Sequence, residues 1–243
     1  MSRFSEQSDL YARYRPEYPQ ELYNFIFKHL SAQHHAWDCA TGSGQVAKIL
    51  SKYFDEVIAT DISEEQLSHA PQKPNISYRL APAEDSGLPP DYFDLITVAQ
   101  AIHWFNFEQF YAEVRRVARE NALIAVIGYG MVRIDNETNP IIDELYDESF
   151  GTYFNKNRKY LDEHYRTLPF PFKEVDSIEF TNTLKWTLED LEGYFNSWSA
   201  VQKMKSELDK NPVDKTIKQL RDKLENQKSV EASFPIFIRL GKL

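Results

Sequence analysis

Residues 36–50 read as an apolar strand that carries an acid near its end, a turn with two glycines one residue apart, and a helix of alanine and branched aliphatics. No other stretch narrows the possible folds as much. Gly42 and Gly44 permit positive φ and put no Cβ in the way of a ligand, while the N–H groups of the next helix's first turn face the same space. Such a unit is a cradle of the nucleotide type.

The strand-and-helix pattern continues on both sides. Helices are predicted over 20–30, 44–53, 64–69 and 107–118, and strands over 36–40, 56–60, 76–80, 93–99 and 122–127. Ser63 reads as an N-cap, and Pro71 and Pro74 stop the helix it starts. The 93–99 run is nearly all apolar, as in a strand covered on both faces. Alternation at this spacing calls for a parallel sheet with right-handed crossovers, so the expected class is α/β and Rossmann-like, with helices on both faces. From 133 to 172 the regularity breaks, and this stretch, with a helix over 139–150, reads as a helical insertion after the fifth strand that covers the sheet edge or the pocket. A strand over 175–184, helices over 188–208 and 213–224, and a last strand over 232–240 follow. The pattern leaves the sheet order open.

At 243 residues, with no Pro/Gly/Ser-rich linker, the expectation is one domain spanning 1–243. Lys and Arg number 28 against 37 Asp and Glu, a net charge of −9 that repels phosphate backbones and anionic lipid. Nucleic acid and membranes are therefore not expected partners. Cys39 is the one cysteine, which excludes an intrachain disulfide and suits a cytoplasmic protein. No run approaches the roughly 18 apolar residues of a membrane span. The histidines, His34 and His35 included, have no acid or cysteine at ligand spacing, so no metal is expected.

In an open parallel sheet, ligands bind outside the carboxyl ends of the strands. The Gly42/Gly44 loop, Asp61, Ala83 with Glu84, and residues 100–104 fall at four such ends. Asp61 stands 17 residues after Gly44, close to the ~20-residue interval at which an acid reaches ribose hydroxyls. Each feature has a plainer reading: a bare turn for the glycines, a cap before Ser63 for Asp61, a loop brace for Asp38. A dinucleotide site of the NAD type also fits, since Gly42-Ser43-Gly44-Gln45-Val46-Ala47 satisfies its pattern. Against it, no Tyr-x-x-x-Lys occurs, and a carboxylate at Asp38 opposes a pyrophosphate while suiting a cofactor with positive charge.

Asp38-Cys39-Ala40-Thr41-Gly42-Ser43-Gly44 resembles the first motif of class I S-adenosylmethionine-dependent methyltransferases, acid-x-Gly-x-Gly-x-Gly, with Ala40 in the first glycine's place. The resemblance implies a seven-stranded sheet whose last strand is antiparallel, and S-adenosylmethionine as cofactor. It places Asp61 on the adenosine ribose, Ile62 beside the adenine, and Ala83 and Glu84 at the adenine edge, where Pro82 replaces the family's frequent aspartate. Asp94 to Trp104, including Gln100 and Ala101, resembles the fourth-strand motif. Tyr11-Ala12-Arg13-Tyr14-Arg15-Pro16 is similar to the N-terminal helix and turn of the branch that includes trans-aconitate methyltransferase. The matched motifs span about 10–130, the cofactor-binding half; about 133–172 is the variable part or cap.

Methyl transfer from a sulfonium is an in-line displacement, served mainly by positioning and exclusion of water. A small-molecule carboxylate as acceptor needs no base. A hydroxyl, thiol or amine acceptor would make His103 the candidate base, the alternative being that His103 packs or bonds the backbone. Trp104 reads as pocket wall or core. Arg15 can hold a carboxylate or pair with Glu17 or Glu21, and Tyr11 and Tyr14 can close over the methionine tail or simply pack. With Ala40 and Pro82 as its support, a non-catalytic partner subunit on the same fold is the remaining reading.

Overall fold

The computed structural model describes residues 14–153, 156–176, 178–208, 211–224 and 227–243. In chain order the elements are α1 (Gln20–Phe27), β1 (His35–Cys39), α2 (Gln45–Leu50), β2 (Glu56–Asp61), α3 (Glu64–Ser68), β3 (Ile76–Leu80), β4 (Phe93–Ala99), a 3₁₀ turn (Ile102–Trp104), α4 (Phe107–Val117) and β5 (Ala118–Tyr129). There follow α5 (Asn139–Tyr153), a second 3₁₀ turn (Lys156–Arg158), α6 (Lys159–Asp162), β6 (Lys173–Asp176), β7 (Glu179–Trp186), α7 (Leu188–Asn196), α8 (Ser199–Leu208), α9 (Pro212–Leu224) and β8 (Val230–Lys242).

The sheet runs β3-β2-β1-β4-β5-β8-β6, with β7 also pairing with β8. Pairs among β1 to β5 are parallel, and β8 is antiparallel to β5 and β6. The last strand is thus antiparallel as expected, but the sheet has eight strands, not seven, because the 175–184 strand reading falls on two elements, β6 and β7. From β1 the chain steps outward to β2 and β3, then returns to β4 on β1's other side. Right-handed crossovers in opposite directions put α2 and α3 on one face and α4 on the other, and open a crevice between the carboxyl ends of β1 and β4.

Burial on both faces explains why β4 is nearly all apolar and why β1 is buried from Ala36 to Cys39. Trp37, Phe93, Ile96, Phe110, Val114 and Ile124 belong to one core cluster, and the buried Trp37 indole N–H donates to Thr60 Oγ1 at 2.9 Å. Ser63 caps α3 as expected, accepting the Gln66 N–H at 3.2 Å. The 188–208 helical reading resolves into α7 and α8, and α7 starts with a Thr187/Asp190 capping box.

The described chain forms two compact units. One comprises Glu17–Gly130, Lys159–Phe180 and Ile236–Leu243; the other comprises the described residues of Met131–Arg158 and Thr181–Pro235, with residues 14–16. Of the predicted 133–172 insertion, residues 159–172 belong to the sheet unit. The second unit is built on aromatic packing: Tyr194 makes edge contacts with Trp198 and Phe234 at ring separations of 5.7 and 5.4 Å, and Phe195 lies 5.2 Å from Trp198.

Candidate cofactor and acceptor site

At the carboxyl end of β1 the backbone turns through positive φ at Ala40 (+53°), Gly42 (+57°) and Gly44 (+77°). For Ala40 this costs roughly 1 kcal/mol, since an L side chain crowds the carbonyl there. Two carboxylates hold the loop. Buried Asp38 accepts from the Thr41 hydroxyl, from Thr97 Oγ1 at 2.7 Å and from the Ala47 N–H at 3.0 Å. Asp61 accepts the N–H groups of Gly42 (2.8 Å) and Ser63 (2.9 Å), and the Gly44 N–H donates to the Thr41 carbonyl at 3.0 Å.

This network narrows the expectation that the first-turn N–H groups face the ligand, since the Ala47 N–H of that turn is taken by Asp38. The amides of Gly42, Gly44 and Ala47 are turned to protein acceptors, two of them carboxylates, so they are not aimed at a pyrophosphate. The geometry argues against the dinucleotide reading. The glycines differ as well. A Cβ on Gly44 would lie 2.6 Å from the Tyr78 hydroxyl, so that glycine serves packing against β3; a Cβ on Gly42 would meet only Gln66 Oε1, at 3.8 Å. Burial pushes the Asp38 carboxyl up to about 6, against the lowering by hydrogen bonds from Thr41, Thr97 and Ala47. Asp38 is therefore placed as a brace. Thr97, directly in register with Asp38, is a residue the sequence reading missed, although a lone hydroxyl in the apolar run of β4 was the available signal.

At the ends of β2 and β3, Ile62 is 77% exposed and Leu80, in register with Asp61, is 60% exposed. Two large apolar side chains are thus left in water close in the sheet to the Asp61 carboxylate. Leu80 was not anticipated. Ala83 is buried, and Glu84 Oε1 accepts the Asn106 N–H at 2.9 Å, so this acid ties its loop to the cap of α4. Glu113 anchors the same loop, accepting from the Ser86 N–H (2.9 Å) and hydroxyl and pairing with Arg116 at 2.7 Å. Burial raises the Glu113 pKa, but the bonds from Arg116 and Ser86 outweigh it and leave the carboxyl below its ordinary value.

After β4, Gln100 takes φ +57°; its N–H donates to the Ile127 carbonyl at 2.9 Å and its side-chain amide to the Tyr129 carbonyl at 3.0 Å. Half-buried Ala101 leads into the 3₁₀ turn. Ile102 and His103 take the inward positions of that single turn, which leaves Trp104 58% exposed and overturns its core reading. His103 is only 3% exposed, with Nδ1 3.4 Å from the Tyr165 hydroxyl. A general base has to reach the proton it removes, and this imidazole is packed inward.

Arg15 and Tyr14 are placed within the second unit. Arg15 Nη2 donates to the Ser197 carbonyl at 3.2 Å and its guanidinium lies 5.8 Å from the Tyr194 ring, while the Tyr14 ring fills the space a Cβ on Gly193 would need. Tyr11 lies outside the described residues. Among the described residues no group of three His, Cys, Asp or Glu side chains is arranged to hold a metal, and no helix is long and apolar enough to cross a membrane.

A parallel sheet that reverses between β1 and β4, a loop locked by carboxylates, and apolar side chains beside an acid define an α/β protein built for a nucleoside cofactor rather than a pyrophosphate. Comparison with known proteins takes this further. A methyltransferase domain family matches residues 37–126. A Dictyostelium discoideum protein that carries a methyltransferase name is 32% identical over 248 residues, covering 99% of this chain and 94% of its own. The Saccharomyces cerevisiae protein CRG1, whose name describes an S-adenosylmethionine-dependent methyltransferase, is 34% identical over 128 residues, 49% of this chain and 44% of its own. A solved Anaeromyxobacter dehalogenans structure described as a type II methyltransferase superposes with a TM-score of 0.85 at 36% identity, covering 94% of this chain and 97% of that one. The chain belongs to this methyltransferase family and is a class I S-adenosylmethionine-dependent enzyme. The residues fit the cofactor S-adenosylmethionine: the carboxylates of Asp38 and Asp61 suit a sulfonium nucleoside, and exposed Ile62 and Leu80 suit its adenine.

Proposed function

We propose that this methyltransferase acts on a small molecule that presents a carboxylate oxygen, bound beside the turn that carries Trp104. The observation behind the reading is the inward placement of His103. An acceptor that arrives already ionised needs no base, so a site whose nearest imidazole is packed away suits a carboxylate better than a hydroxyl. The net charge of −9 disfavours a nucleic-acid acceptor, and with the single Cys39 a cytoplasmic location is the natural setting.

In this reading the remaining lone pairs of Asp61 accept the ribose hydroxyls, Ile62 and Leu80 flank the adenine, and Ala83 and Glu84 border its edge. Gly42, Ala40, Gln100 and Ala101 line the methionine side, with Asp38 acting through the loop it braces. The cofactor supplies an electrophilic methyl group. The chain contributes alignment of the acceptor oxygen, exclusion of water and a field that does not oppose the sulfonium. The test is transfer of labelled methyl from S-adenosylmethionine across a panel of carboxylic acids, alcohols, phenols, thiols and amines. Methyl esters as the main products are expected; transfer confined to hydroxyl or amine acceptors would sink the carboxylate reading.

A further inference from the structure

Away from the cofactor loop, the sheet unit has two consecutive non-glycine residues in the left-handed region, His164 (φ +53°) and Tyr165 (φ +58°). A buried aromatic residue in that region is an outlier that its surroundings must enforce. Here they do. The Arg239 guanidinium donates to the carbonyls of Tyr165 (3.1 Å) and Leu168 (2.7 Å) while paired with Glu174. The His164 ring stacks on Phe237 at 4.6 Å and 9°, and its Nδ1 lies 3.2 Å from Glu179 Oε1. Opposite Phe237 in the β5–β8 register stands Gly128, where a Cβ would run into the rings of Phe237 and Tyr165. All of this fixes one phenol, fully buried, with its hydroxyl against His103.

We propose that Tyr165 is a positioning residue of the site, acting through the His103 ring to hold the turn that displays Trp104; this rests on reading residues 100–104 as a wall of that site. Phenylalanine would fill the same core space, so what tyrosine adds is the hydroxyl that meets Nδ1. His103 and Trp104 are chain neighbours whose rings lie 5.1 Å apart, so a swing of the imidazole moves the indole. Tyr165 lies 62 residues from His103 and outside the motifs of the cofactor half.

The test uses the full chain, S-adenosylhomocysteine as probe, and Tyr165→Phe. Subtracting the signal of each protein's Trp104→Phe counterpart isolates Trp104 from Trp37, Trp186 and Trp198. The expected result is a changed acrylamide quenching slope for Trp104, with affinity for the probe about fivefold weaker, the loss expected for one neutral hydrogen bond. If Tyr165→Phe does not fold, His103→Phe removes the same contact from the other side and must shift the Trp104 signal likewise. Where all variants fold, the double variant should be no worse than the more affected single one, as for two partners of one interaction. An unchanged Trp104 signal overturns the proposal, whatever the affinity. Failure of the unmodified protein to bind the probe would count against the assigned cofactor loop and leave the Trp104 comparison readable.

Discussion

Among the turns of the sheet unit that hold non-glycine residues at positive φ, those at Ala40 and at His164–Tyr165 are held by opposite means. The loop at Ala40 is locked by acceptors, Asp38 and Asp61, which draw amides and hydroxyls inward. The turn at His164–Tyr165 is locked by a donor, the Arg239 guanidinium on two carbonyls, and by a ring stack. Acceptors leave the first loop with negative charge, fitting for a sulfonium, whereas the second is tied by a cation that stays charged at any working pH. The lock of the first loop therefore titrates at Asp38, while the guanidinium of the second does not.

Asp38→Ala should break this contrast hardest. It strands two hydroxyls and an amide in the core, and about 3 kcal/mol of stability should be lost in urea unfolding; a loss under 1 kcal/mol would mean the loop needs no brace. Asp38→Asn tests the proton. A folded pKa of about 6 against an ordinary 3.8 means that stability from this group is complete below about pH 4 and is lost as pH rises through about 6. The stability difference between the native protein and Asp38→Asn should therefore slope across that window and be flat above it. Asp61→Ala comes next, weakening S-adenosylhomocysteine binding by about 2 kcal/mol through lost charge-assisted bonds. Unchanged affinity in titration calorimetry would misplace the ribose.

Arg239→Met probes the other turn. Two carbonyls and Glu174 lose their cation, and about 1.5 kcal/mol should go, without the pH slope that Asp38 imposes. If the protein keeps its stability, the His164–Phe237 stack alone holds the turn.

The two turns also differ in how far they were legible in the sequence. Gly42, Gly44 and Asp61 stood out because their roles follow from position after a strand, a local property. The Ala40 departure was visible too, since one residue broke the glycine pattern. Tyr165 and Arg239 carried no such mark: they act across 74 residues, and the glycine and prolines of the 133–172 stretch (Pro140, Gly151, Pro169 and Pro171) lie away from the tandem pair His164–Tyr165. For Trp104 the sequence left wall and core both open, since which residues of the short 3₁₀ turn point inward is set by packing, and Ile102 and His103 take those places. The division of 175–184 into β6 and β7 and the strand order were hidden for the same reason, being set by pairing with β8 and not by local periodicity.

The smallest effect is the most discriminating for the acid-locked loop. Ala40→Gly relieves roughly 1 kcal/mol of left-handed strain but returns a similar amount of backbone freedom to the unfolded chain, so the two nearly cancel. Stability should stay within about 0.5 kcal/mol of the parent, and the affinity for S-adenosylhomocysteine should hold. A gain of more than 1 kcal/mol would mean that Asp38 and Asp61 force the loop against its own backbone preference. An equal loss would mean that the half-buried methyl packs. A change in affinity with no change in stability would place that methyl against the methionine part of the cofactor, where the family's glycine leaves room.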